Sequence, residues 1–466
     1  MPGALRSSLP TRRSGRRGFS LVELLVAILI LSLIMAALVE LFTSSSRIAR
    51  VQTEVAEVQQ SLRVAQEEIT RMVRMAGAGG LPVRWLDRDP ESRISPFTYA
   101  IEGAFPNGFA LEIQSNVPTD TRMPQTGTDA NRAWVMPNSD VLIVRGSLTT
   151  PAYYLLDSVP VSANMVVEIP DTVGDRLWPT GPLVARVDEA ILANRPLSFI
   201  GRDLLNPDNY VVMELNPATT NTVPAACTVA VANVPGSQCI SIGLTHNPAG
   251  NVEVALANGL MTLGNKLGNY SGVPTFNLPS GAPVATAPVP RDIGSLAMLD
   301  EFRYFVRAEW QVPNDPTSRL TPVLSRAEFV PGTDILIDQI DLVENILSFQ
   351  VVAALDANRD SEILDTGDDQ DELLFNDAGD LATGVNSPGA TATRWWERMP
   401  LAYLRMTLVA QARRPDHRYE APLLGDLEDA DLAGTITIDG ETYSLNDDLR
   451  FRRRARQWTV DPKDLQ

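Results

Sequence analysis

The chain has 466 residues, and its 57 Asp+Glu against 39 Lys+Arg give a formal net charge of -18. Such a charge argues against general nucleic-acid binding, which depends on neutralising phosphates. Two cysteines and two histidines leave little material for a zinc site or a histidine-based catalytic triad. The 34 prolines and 30 glycines with only 21% charged residues indicate a loop-rich, mostly β globule.

The N-terminal segment changes abruptly from basic to apolar. Five arginines (Arg6, Arg12, Arg13, Arg16 and Arg17) precede residues 19–42, which are apolar apart from Ser20, Glu23, Ser32 and Glu40. As a helix this run spans about 36 Å, enough for a bilayer core. The arginines place the N-terminus in the cytoplasm and the bulk of the chain outside.

Glu23 is the unusual residue of this run, since a carboxylate in a spanning helix costs about 2.5–3.5 kcal/mol. Cleavage between Gly18 and Phe19 would create an α-amino group four residues from Glu23, able to pair with it within one helix or between neighbouring subunits. The alternatives to such a cleaved segment are an ordinary signal anchor, a secretory signal and a twin-arginine signal. The sequence offers no convincing small-residue cleavage site after the apolar run.

The stretch "RRGFSLVELLVAILILSLI" resembles the class III signal of a type IV prepilin, with its basic leader, Gly18, Phe19 and a glutamate at the fifth position after the cut. The resemblance implies that a prepilin peptidase cleaves after Gly18 and methylates the amine of Phe19. It also implies that Glu23 pairs with such an amine during filament assembly.

A second helical pattern follows the apolar run. Its apolar residues form one stripe with polar residues elsewhere, and they are Ile48, Val51, Val55, Val58, Leu62, Ala65, Ile69 and Met72. Gly77, Gly79 and Gly80 end the helix. The stripe predicts an amphipathic half-helix that packs on the protein's own sheet, and a coiled-coil seam is the alternative.

Short alternating runs from about residue 98 onward predict strands. The clearest place Phe302, Tyr304, Val306, Ala308 and Trp310 on one face, and Leu404, Met406, Leu408 and Ala410 on another. We therefore predict an α+β, pilin-like fold: a long N-terminal helix, transmembrane and then amphipathic, packed on a large, loop-rich, mostly antiparallel β domain. The predicted parts are a leader (1–18), a transmembrane half (19–42), a stalk (43–78) and a globule (81–466), with a Pro/Thr/Gly-rich insertion around 216–292.

Several runs of the globule extend the resemblance to PilW-type minor pilins. "SDVLIVRG", "FRYFVRAEW", "ILIDQIDLVENILSFQVVAALDANRD", "LRMTLVAQARRPD" and "LRFRRRARQWTV" come in the order seen in that family. The ending "DPKDLQ" departs from the arginine-asparagine close that the family leads us to expect.

Three further features are candidate sites. Cys227 and Cys239 form a disulfide if the globule lies outside the cytoplasm, and two free thiols are the alternative. Asp356, Asn358 and Asp360 stand at alternate positions, as calcium ligands can, with Asp365 as a further carboxylate, although the EF-hand template is otherwise unmet. A solvated acidic turn is the alternative.

The arginine-rich "RFRRRARQW" is the third feature. Three interpretations are open for it. It is an edge strand whose charges discourage pairing with a further strand, a surface that docks an acidic subunit, or a DNA contact.

The predicted function is that of a non-enzymatic minor pilin that promotes pilus assembly, twitching motility or adhesion. The size of the chain favours a place at or near the tip of the filament. Its predicted partners are the prepilin peptidase, the major and other minor pilins, the inner-membrane assembly platform and membrane lipid, without nucleic acid. It would cross the inner membrane once and then enter an extracellular filament. The alternatives are a minor pseudopilin of a type II secretion system and a calcium-dependent adhesin; calcium is the one cofactor considered.

Overall fold

The structure is a computed structural model that describes residues 20–79, 97–98, 110–114, 135–136, 139–160, 164–173, 176–177, 179–203, 210–228, 237–245, 292–308, 321–331, 336–355, 372–374, 401–413, 435–438, 441–444 and 453–460. The chain divides into two compact units, Met1–Glu57 and Val58–Gln466.

Helix α1 (Leu21–Met75) has 55 residues and contributes to both units. In residues 21–42 its large apolar side chains are exposed, and the helix is long and apolar enough to cross a membrane. The hydroxyls of Ser32 and Thr43 donate to the carbonyls of Leu29 and Glu40 at 2.8 and 2.9 Å. These bonds satisfy the two polar groups without a partner outside the helix.

In the second unit the predicted stripe of α1 is buried. Leu62, Ala65, Ile69 and Met72 are at most 4% exposed, and Val58 packs partly against the same core. The stripe therefore packs on the protein's own sheet from Val58 onward, as predicted. Farther towards the N-terminus, Ile48 is 56% exposed.

Glycines end α1 and allow close packing there. Gly77 and Gly79 have positive φ angles of 77° and 90°, which glycine adopts at little cost. A Cβ on Gly146 would lie 3.1 Å from backbone atoms at the end of α1, so a larger residue would separate the strand from the helix. The amide of Gly77 donates to the carbonyl of Arg145 at 2.9 Å.

The strands of the described part begin and end as follows: β1 (Phe97–Thr98), β2 (Leu111–Gln114), β3 (Val141–Gly146), β4 (Tyr153–Pro160), β5 (Asn164–Val173), β6 (Arg176–Leu177), β7 (Ser198–Asp203), β8 (Tyr210–Leu215), β9 (Asn221–Ala226), β10 (Gln238–Thr245), β11 (Asp292–Arg307), β12 (Val323–Phe329), β13 (Leu336–Glu344), β14 (Ile346–Leu355), β15 (Glu372–Leu374), β16 (Leu401–Gln411), β17 (Thr435–Ile438), β18 (Glu441–Ser444) and β19 (Arg453–Val460). A second helix, α2 (Gly181–Leu192), lies between β6 and β7.

Strand β11 organises the largest sheet. Its first half pairs with β4 and β7, and its second half pairs with β3 and β12, all antiparallel. The sheet order is β1-β2-β3-β11-β7-β8-β10-β5-β6, with β9 added beside β10 and β13 beside β12. One 16-residue strand thus joins two groups of strands.

A separate sheet has the order β15-β14-β16-β19, and β17 and β18 form a hairpin. Ser139 and Asp140, just before β3, join this sheet to the large one. The Asp140 amide donates to the Phe349 carbonyl at 2.7 Å, and the Val351 amide donates to the Asp140 carboxylate at 2.6 Å.

Two main cores lie on the two halves of β11. The first contains the stripe of α1, the predicted face of β11 (Phe302, Tyr304, Val306 and Ala308) and the predicted face of β16 (Leu404, Met406, Leu408 and Ala410). Trp310 lies outside the described residues. The second core is covered by Leu183, Val187 and Ala190 of α2, a helix that our sequence analysis missed. The long helix and the mostly antiparallel strands confirm the predicted α+β class.

The predicted insertion, 216–292, contains two described strands, β9 just before Cys227 and β10, which includes Cys239. Strand β10 supplies Ile240, Ile242 and Leu244 to the second core, so this part is integral to the globule. Residues 246–291 lie outside the described part. The other predicted boundaries, at 18, 42, 78 and 81, stay predictions.

Candidate functional site

The predicted processing site lies at the start of α1. Gly18 and Phe19 are outside the described residues. Glu23 is in the first turn of the helix and is exposed. Among the described residues Glu23 makes no ion pair.

Position on the helix adds a second reason for an acid at Glu23. The unpaired amides of a helix N-terminus carry partial positive charge, which stabilises a nearby carboxylate by about 0.3–1 kcal/mol. Glu40, the other acid of the apolar half, lies mid-helix and lacks this effect. The two glutamates therefore differ in their backbone environment although both are exposed.

Glu68, in the buried half of α1, has its partners within the chain. It forms an ion pair with Arg326 of β12, and it pairs with Arg71 at 2.6 Å. Burial, and then the Glu68 carboxylate, raise the pKa of Tyr304, whose hydroxyl lies 3.5 Å from Glu68. This cluster fixes the stalk on β11 and β12 by polar contacts beside the apolar stripe.

The edge strand β19 holds the stalk on the other side. The indole nitrogen of Trp458 donates to the hydroxyl of Thr70 at 3.1 Å, and Arg456 donates to Gln66 at 2.5 Å. Strand β19 is last in its sheet order, as the edge-strand interpretation of the arginine-rich tail predicts. Arg454 is exposed and Arg453 is buried, while Arg450 and Arg452 lie outside the described residues.

The middle of β11 carries a buried carboxylate. One oxygen of Asp300 accepts hydrogen bonds from the amides of Leu148 and Thr149 at 2.9 and 2.8 Å and from the Thr149 hydroxyl at 2.8 Å. The other oxygen lies 3.7 Å from Arg186 of α2, which also pairs with Glu328. Burial outweighs the Thr149 hydrogen bonds and raises the pKa of Asp300 to about 6.

The second face of β11 is buried as well, which its alternation did not predict. Arg145 and Arg303 both pair with Glu301, at 2.6 and 2.7 Å, and all three side chains are at most 1% exposed. Arg303 also lies over the ring of Phe329, 3.9 Å from its centroid. Charged residues on one face of a strand usually indicate that this face is exposed to solvent. The sequence alone therefore offered no signal that these three side chains are buried.

A disulfide joins Cys227, just after β9, to Cys239 in β10, with 5.0 Å between their Cα atoms. The bond ties the exposed β9 to a strand of the second core.

The proposed calcium ligands Asp356, Asn358, Asp360 and Asp365 lie outside the described residues. Within the described ranges, no group of three or more His, Cys, Asp or Glu residues is arranged to hold a metal ion. Calcium binding therefore stays a prediction.

Comparison with protein families matched residues 13–39 to the prokaryotic N-terminal methylation motif. Comparison with curated proteins and with solved structures found no match. The matched residues contain Gly18, Phe19 and Glu23 and run into the exposed apolar half of α1. The motif implies processing by a prepilin peptidase and assembly with other pilins. Together with the apolar helix, it supports a type IV pilin-like or pseudopilin-like protein.

Proposed function

We propose that the protein is a PilW-type minor pilin of a type IV pilus, with a structural rather than an enzymatic role. Prepilin peptidase would cut between Gly18 and Phe19, and the mature chain would leave the inner membrane for the filament. There it would stand at or near the tip and promote assembly.

The observation that carries this proposal is that the first unit has an exposed apolar surface with an acid, Glu23, in the first turn of its helix. The side chains of the apolar half are exposed, so this surface needs lipid before assembly and other apolar helices afterwards. Glu23 in the first turn lacks an ion-pair partner among the described residues. A methylated α-amine of a neighbouring subunit supplies the opposite charge and sets the register between helices.

The size of the globule supports a minor position. The second unit runs from Val58 to Gln466. A body this large would crowd a close-packed shaft if it were repeated along the filament, whereas a tip has room for it.

N-terminal mass spectrometry of the protein isolated from cells tests the proposal. We expect a chain that begins with N-methylated Phe19. An intact N-terminus, or a cut beyond the apolar segment, would remove the basis for filament assembly.

The same N-terminus serves a pseudopilin of a type II secretion system. Deleting the gene and scoring both twitching and protein secretion separates the two machines. Loss of twitching with normal secretion supports the pilus, and the reverse result assigns the protein to secretion.

A further inference from the structure

A basic groove runs along the buried half of α1, on the side facing strand β19. We call it the arginine groove; it has a volume of about 770 Å³ and is lined mainly by Arg63, Glu67, Arg71, Arg74, Met75 and Arg456. All of these residues belong to the second unit. The helix positions 63, 67, 71 and 74 are spaced three or four residues apart, so they share a face beside the buried stripe.

The charge of the groove opposes that of the chain. Four arginines face one glutamate among its lining residues, whereas the whole chain has a net charge of -18. Arg71 is held by Glu68, and Arg456 donates to Gln66. Arg63 and Arg74 are exposed, and among the described residues neither forms an ion pair. Within the described ranges, therefore, two of the guanidinium groups of the groove have no ion-pair partner.

Guanidinium groups bind carboxylates and phosphates in a two-point geometry. Two features favour carboxylates of a protein over a nucleic acid. Glu67 in the wall and the net charge of the chain repel every anion, and this repulsion grows with the charge that the ligand carries, so a short segment with a few carboxylates is disfavoured less than a long phosphate backbone. Met75 offers an apolar contact of the kind that peptide side chains use.

We propose that the arginine groove docks a carboxylate-rich segment of a different pilin-like subunit next to this chain. The proposal rests on the proposed function, because the motif implies assembly with other pilins. Neighbouring subunits would then meet this chain at two contacts, the Glu23 pair at the start of α1 and the arginine groove in the second unit. Charge complementarity at the second contact selects an acidic neighbour.

A binding assay on the full-length protein in detergent tests the groove. The probe is fluorescein-labelled hexaglutamate, measured by anisotropy, with hexaglutamine and a single-stranded oligodeoxynucleotide as comparisons. The groove variant is Arg63→Gln/Arg74→Gln. The matched control is Arg47→Gln/Arg50→Gln, which removes two exposed arginines of the same helix outside the groove.

We expect the groove variant to weaken hexaglutamate binding about tenfold or more and the control to change it less than about twofold. Equal losses in the two variants would mean that net charge alone attracts the peptide, and would overturn the proposal. Binding no tighter than that of hexaglutamine, or a groove-dependent preference for the oligodeoxynucleotide, would also overturn it.

Two further measurements identify the occupant. In purified filaments, a photocrosslinker in place of Glu67 should yield an adduct with an acidic segment of another subunit type. An adduct with a second copy, or dimerisation in detergent lost only in the groove variant, would overturn the proposal. The peptide assay needs no filament, so a chain that binds hexaglutamate but never enters a pilus would refute the proposed function and not the groove chemistry.

Discussion

The two halves of α1 use apolar residues in opposite ways. The first half is almost continuously apolar, and its large side chains, such as Ile34 at 51%, are exposed. The second half carries only a stripe, and Ile69 in that stripe is fully buried. Apolar content therefore does not indicate burial within the chain. The most apolar part is the one that depends on lipid or on other helices.

Glu23 and Glu68, one in each half of α1, differ in the same way. Glu68 has Arg326 and Arg71 as partners within the chain. Glu23 has no ion-pair partner among the described residues and, on our proposal, obtains one from a neighbouring terminus. An acid whose partner is internal contributes to folding, whereas one whose partner is external contributes to assembly.

Replacing Glu23 is the strongest test of this division. Glu23→Gln should reduce incorporation into filaments about tenfold or more, since a lost contact worth about 1.4 kcal/mol is a tenfold loss. Membrane insertion should not suffer, because the variant removes a charge that is costly in the bilayer. Quantitative immunoblots of sheared filaments and of membranes measure the two effects.

Glu40→Gln is the matched control, because it removes the same charge from the same apolar half. Its incorporation should stay close to that of the wild type. If both variants were lost from filaments equally, the position of Glu23 would have no special role.

Truncating one isoleucine in each half gives the next largest effect. Ile69→Ala should lower the free energy of unfolding by about 2–5 kcal/mol, because it leaves a cavity in a buried core. Ile34→Ala should change it by less than about 0.5 kcal/mol, since this side chain has no core to support. Chemical denaturation of the full-length protein in detergent, followed by tryptophan fluorescence, measures both. Similar losses would show that the apolar half contributes to the folding of the globule.

The sequence predicted best those features that repeat along one element. The stripe from Val58 to Met72 and the alternating faces of β11 and β16 were each visible as a period, and each packs into the first core. Glu23 was visible because a charge in an apolar run is costly.

Most of the missed features depend on contacts between distant parts of the chain, and helix α2 is the exception. Helix α2 had local signals, namely Pro182 near its start and Leu183, Val187 and Ala190 at helical spacing, but it is short. The arginine groove combines α1 with β19, which are separated by hundreds of residues, so no local pattern could predict it. The burial of Arg145 and Arg303 depends likewise on Glu301 being brought between them.

Asp300 provides the smallest effect and extends the comparison to an acid held wholly within the globule. Its folded pKa of about 6 lies above the ordinary value of 3.8, so ionisation disfavours the folded state. As the pH falls below about 6, the folded protein takes up the proton before the unfolded chain does, and this contribution to stability rises. Between pH 7.5 and 4.5, the wild type should gain about 2 kcal/mol relative to Asp300→Asn, which cannot titrate. Denaturation of both proteins at the two pH values measures this difference. Parallel profiles would contradict this prediction and would mean that the Thr149 and Arg186 contacts offset the cost of burying Asp300.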